Sequence, residues 1–167
     1  MFQEKILKFE DMKKVIIALA LLLCGLGASA QNYDWGIGLR GGVFHGSLNA
    51  RFCIEKNAVD IRVSIPYKTQ GFNMGVDGTY EWRMPVITEG MEFYYGPGLM
   101  LGILPGAEKS FFSLGFQGVA GLEYKIPRIP LAAFIDYRPQ LYCAFGNGLN
   151  FNAADLGLGI RFTFDRT

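Results

Sequence analysis

Residues 151–164 read FNAADLGLGIRFTF, and from Ala154 every second residue is apolar: Ala154, Leu156, Leu158, Ile160, Phe162 and Phe164. The positions between them, Asp155, Gly157, Gly159, Arg161 and Thr163, are small, charged or polar. A period of two puts the two sets on opposite faces of a β-strand. A strand of a soluble sandwich has the same rhythm. Two further features point elsewhere: an export signal at the start, and an alternation that closes on an aromatic close to the last residue. Apolar outside, polar inside and aromatic at the rim is the pattern of a membrane β-barrel.

The export signal has its three parts in order. Met12-Lys13-Lys14 is a charged start, Val15 to Leu23 an apolar run, and Ala28-Ser29-Ala30 a small-residue cleavage site. Cleavage is expected between Ala30 and Gln31. The signal proper covers residues 12–30, residues 1–11 precede it, and Met12 or Met1 could be the start. A lipoprotein signal through Cys24 is disfavoured by the bulky Leu23 before it. Residues 31–167 then form one barrel domain. Half of the residues are hydrophobic. After residue 30, however, no run reaches the ~18 apolar residues that a spanning helix needs. The hydrophobicity must lie in alternating strands.

Eight such segments follow, at about 34–44, 47–55, 58–68, 71–84, 90–103, 111–125, 131–143 and 151–164. Their lengths suit a tilted crossing of an apolar layer. Glu55-Lys56-Asn57 reads as a tight turn. The charges keep to one parity. Arg40, Arg51, Arg62, Lys68, Arg83, Lys125, Arg138 and Arg161 are expected to point inward, with Asp60, Asp77, Glu81, Glu92, Glu123, Asp136 and Asp155. A soluble ligand-binding barrel has the inverse arrangement. The outward aromatics gather at segment ends. Trp35, Trp82, Phe93, Tyr124, Phe162 and Phe164 would form one girdle, and Tyr67, Phe72 and Phe112 the other. Pro97 breaks the pattern, because proline has no donor for a ladder. Tyr95-Gly96-Pro97-Gly98 therefore reads as a bulge or kink.

Trp35-Gly36-Ile37-Gly38-Leu39-Arg40, Tyr95-Gly96-Pro97-Gly98, Gly121-Leu122-Glu123-Tyr124, Asp136-Tyr137-Arg138-Pro139 and Gly157-Leu158-Gly159-Ile160-Arg161-Phe162 carry a resemblance. The chain resembles the small outer-membrane β-barrels of Gram-negative bacteria, the OmpA/OmpX-type group, over about 31–164. That resemblance implies an eight-stranded antiparallel up-and-down transmembrane barrel with both termini in the periplasm. It also implies residence in the cell outer membrane, contact with outer-membrane lipid, and insertion by the barrel-assembly machinery. Such proteins often end on the aromatic itself, whereas here three residues follow Phe164.

Little in the chain suggests catalysis. His45, the single histidine, lies near Ser47 at the first far loop. No acidic residue is placed to orient it as a base, so a solvated loop histidine is the expectation. Neither zinc spacing nor a phosphate loop occurs, so no metal or cofactor is expected. Gly36-Ile37-Gly38 and Gly157-Leu158-Gly159 read as glycines making room in a narrow barrel. Cys53 and Cys143 are expected as free thiols facing opposite ways. A net charge of +1 gives no reason to expect nucleic acid. The inward charges are nearly balanced in sign, whereas a selective pore shows one dominant sign. The expected function is therefore a structural, adhesive or binding barrel whose lumen is filled by a charge network. The alternatives are a small diffusion channel and a lipid-modifying enzyme. An extracellular partner is not specified by the sequence.

Overall fold

The computed structural model describes residues 33–67, 74–86, 89–105, 110–146 and 148–165. The signal segment with Ala30 and Gln31, and Lys68 and Phe72, lie outside the described residues. The described residues contain no helix. Their strands are β1 (Trp35–Gly42), β2 (His45–Ile54), β3 (Asn57–Pro66), β4 (Met74–Pro85), β5 (Met91–Pro105), β6 (Ser110–Lys125), β7 (Leu131–Tyr137), β8 (Gln140–Ala144), β9 (Gly148–Asn152) and β10 (Leu156–Phe164).

Each strand pairs antiparallel with its neighbours, and β1 pairs with β10 while β5 pairs with β6, so the sheet closes. β7 and β8 follow one another along the same side of β6, and β9 and β10 follow one another along β8 and β7. The ten strands are thus eight staves of an up-and-down barrel. The near end of the barrel carries Trp35, Phe164 and the turn at Glu55–Lys56, where Glu55 has a φ of 52°. The far end carries the turns after β1 and β8.

Alternation decides which residues face the lumen. Along β1 the exposed residues are Trp35, Ile37 and Leu39, and the buried ones Gly36, Gly38 and Arg40. The same reversal of soluble packing runs around the barrel. Leu48, Ile61, Val63, Val76, Leu101, Leu114, Ile135, Leu158 and Ile160 are exposed, while Arg51, Arg62, Asp60, Glu81, Asp136 and Arg161 are buried. Lumen glycines make space for long neighbours. A Cβ at Gly157 would strike the Arg40 guanidinium, and one at Gly36 the Arg161 stem.

Of the bulge or kink expected at Tyr95–Gly98, the bulge is not there, because no residue is inserted. β5 stays in one register with β6 through Tyr95↔Ala120, Gly96↔Val119, Pro97↔Gly118 and Gly98↔Gln117. On the β4 side, Thr79↔Gly98 and Trp82↔Tyr95 share one register, with no rung opposite Gly96 or Pro97. The missing donor of Pro97 removes rungs without inserting a residue, and Gly96 gives the Tyr80 carbonyl room to approach. The bulge lies in the last stave. Asn152 pairs with Gln140 but Leu156 with Tyr137, so Ala153–Asp155 contains one residue more than the facing chain. Facing flips across it: Leu149 and Phe151 are exposed before it, Leu156 and Leu158 after it. The seventh stave, expected to be continuous over 131–143, is interrupted opposite this bulge at Arg138–Pro139.

Candidate functional site: the charged lumen

Inward facing alone does not bring charges together; the stagger of the staves does. Arg138, in the break between β7 and β8, reaches Asp60 of β3 at 3.0 Å and Glu81 of β4 at 3.5 Å. Asp60 lies 3.5 Å from Arg161 of β10, which pairs in turn with Glu123 of β6. Glu123 is 3.0 Å from Arg51 of β2, and Arg51 is 2.8 Å from Glu81. The path returns to Arg138. Cations and anions alternate around this closed circuit, so each charge has opposite neighbours on two sides. Its members are nearly fully buried. Such burial is tolerable only because each charge is paired, and arginine's planar fork suits two carboxylates at once.

Branches leave the circuit. Arg138 Nε donates to Asp136 at 2.7 Å, and Arg40 Nε donates to the same carboxylate at 2.6 Å. Arg40 also donates to the Asp155 carboxylate at 3.1 Å and to its backbone carbonyl at 3.3 Å. Farther along, Arg62 grips Asp77 through Nε and Nη2, and Gln117 bridges the two from across the lumen. At the near mouth Arg83 pairs with Glu92 at 2.5 Å, the latter partly open to solvent. Each lumen residue singled out in the sequence, namely Arg40, Arg51, Asp60, Arg62, Asp77, Glu81, Arg83, Glu92, Glu123, Asp136, Arg138, Asp155 and Arg161, sits in one of these ion pairs. Lys125 instead turns to the rim, where its Nζ donates to the Ile129 carbonyl at 2.8 Å.

Neutral groups complete the filling. Tyr94 is buried with the Arg51 guanidinium over its ring at 4.5 Å, and Arg161 lies over the Phe134 ring at 4.6 Å. Asn49 donates to Asp60, and Thr79 to Glu81. Tyr33 stands below β1 at the near end and donates to Glu123 at 2.5 Å while Arg161 donates to it at 3.2 Å. Burial pushes its hydroxyl above the ordinary tyrosine value, although Arg51 and Arg161 pull the other way. It therefore stays a donor. Sequence reasoning missed Tyr33, since it precedes the first alternating segment and nothing in the spacing marks it.

The aromatics gather at the near end. Trp35 stacks on Phe164 at 3.9 Å, Phe162 lies 5.0 Å from Phe164, and Trp82 is 5.4 Å from Tyr95. Tyr124 has outward parity on β6 but is buried, unlike Trp35, Trp82 and Phe162. At the far end Phe112 stacks against Phe145 at 5.9 Å, and Tyr67 is exposed. His45 corrects its expectation: it is the first residue of β2 and is buried, as is Ser47. The first turn is tighter than expected, so the histidine joins a strand and turns inward. Cys53 faces the lumen half-buried and Cys143 faces out exposed, both as free thiols.

Comparison with family models, with curated proteins and with solved structures returns no match for this chain.

Proposed function

We propose that the protein is an integral outer-membrane barrel with a structural or binding role, its lumen sealed by its own ion-paired side chains. One observation carries this reading: exposed apolar side chains gird the outer wall while the arginines and carboxylates are buried within. In water an apolar belt running round the barrel would drive aggregation. In lipid it is the wall a barrel needs, and closure leaves no strand edge on the lipid-spanning staves of the near half. The near-end aromatics suit the interfacial girdle, and the export signal suits the route.

The sealed lumen argues against a diffusion channel. An eight-stranded interior is just wide enough for side chains to fill, and here long arginines meet carboxylates across it. The test is planar-bilayer recording on protein refolded into lipid, with vesicle flotation to confirm insertion. Flotation without stable channel openings is expected. Openings as large as those of general porins would overturn the seal, and protein left in the aqueous fraction would overturn the membrane reading.

A further inference from the structure

Three interruptions of the sheet fall on one line. The β4–β5 ladder lacks rungs opposite Gly96 and Pro97. Pro97 faces Gly118 on β6. Between Gln117↔Gln140 and Ala120↔Tyr137, the link from Gly118 to the next stave is its N–H donating to the Pro139 carbonyl at 3.0 Å. Pro139 in turn faces the bulge at Ala153–Asp155. Pro97, Gly118, Pro139 and the bulge are thus successive neighbours across the wall. β5 and β6 cross this seam together in one unbroken ladder, at Pro97 and at Gly118.

The wall differs above and below the seam. Below it, the charge circuit ties β2, β3, β4, β6 and β10 together across the lumen. Above it, Met100, Leu104, Tyr142 and Ala144 form an apolar cluster with Phe111. Those residues all belong to β5, β6 and β8. Among the described residues, β9 neighbours β8 alone, and β8 neighbours only β5, β6 and β9. Among the described residues the other edge of β9 has no strand beside it, because β1 ends at Gly42, opposite Gly157. Among the described residues the upper wall is therefore held to the barrel along β4, across the seam, and by Gln117, next to the seam, which bonds Arg62 and Asp77; no strand holds it along β9.

We infer that the upper parts of β5 and β6, with β8 and β9, form a flap that swings about the seam, its β9 edge moving most. The internal apolar cluster keeps it one body, and the prolines and the bulge supply the weak line along which it bends. Outward motion widens the gap between β9 and the turn after β1, giving sideways access to the far half of the lumen. The charged half stays shut. The inference needs the closed barrel but not its location in a membrane.

The experiment is pulsed electron-spin distance measurement on the full refolded chain with Cys53→Ser and Cys143→Ser. One label pair, at Val43 and Leu149, spans the gap; both side chains are exposed and neither joins the charge circuit. The control pair, at Glu55 and Arg128, spans turns at the near end. A distribution across the gap at least twice as wide as the control is expected. Adding Gly118→Val, whose branched side chain stiffens the crossing strand, narrows it. Hydrogen exchange gives an independent reading: amides of β8 and β9 exchange together, at least ~10-fold faster than those of β7 and β10, as a separately opening unit does. Equal widths for both pairs, or exchange that is uniform across the seam, would overturn the flap.

Discussion

Arg138 is the residue on which the most lumen charges depend. It touches Asp60, Glu81 and Asp136 from a position where the strand is broken, so its backbone is not committed to a regular ladder. Removing it leaves three buried carboxylates short of a partner. Arg83, by contrast, serves Glu92 at a mouth that water reaches. Arg138→Ala is expected to cost ~3–5 kcal/mol, as breaking a buried pair does. Arg83→Ala should cost about 1 kcal/mol, nearer to a solvent-screened pair. Urea unfolding in lipid vesicles measures both. Equal losses would mean that the circuit shares no more load than the pair at the mouth.

At the scale of elements, the bulge makes a sharper demand than the strands themselves. Since a one-residue slip turns every side chain to the other face, the segment Ala153–Asp155 absorbs a change of parity that regular pairing would forbid. Deleting Ala154 removes the additional residue and should leave a folded barrel. Deleting Ile160 turns Arg161 toward the outside and should abolish folding. Gel mobility of unheated protein after refolding separates the two outcomes; loss of folding in both deletions would refute the bulge. The facing of nearly every strand was legible in the sequence because charges kept to one parity. The chemical signal at Pro97 points to a bulge or kink in β5, where no residue is inserted. The better signal was the switch from Leu149 and Phe151 to Leu156 and Leu158, a change of phase within one segment. Partners across the lumen were not legible at all. Arg138 meets Asp60, 78 positions away, because of the stagger between staves, and local spacing carries no information about that. Burial of His45 is not legible for a related reason, since one shorter turn moves a loop residue into a strand.

For the whole molecule, the stack of Trp35 on Phe164 has a kinetic consequence. Most pairings in the barrel join strands adjacent in sequence and can zip up from their turns. The β1–β10 pairing joins the two ends of the described chain. Loop-closure entropy must be met before such a distant contact contributes, which makes it slow. Trp82, on β4 beside Tyr95 of β5, belongs to a local hairpin. During refolding into vesicles, Trp35 fluorescence in a Trp82→Phe variant should change in the last phase, and Trp82 fluorescence in a Trp35→Phe variant in an earlier one. Simultaneous changes would mean that the cylinder seals as its hairpins form. The two tryptophans would then act as two clocks in one chain, one started by the first hairpins and the other stopped when the ends meet.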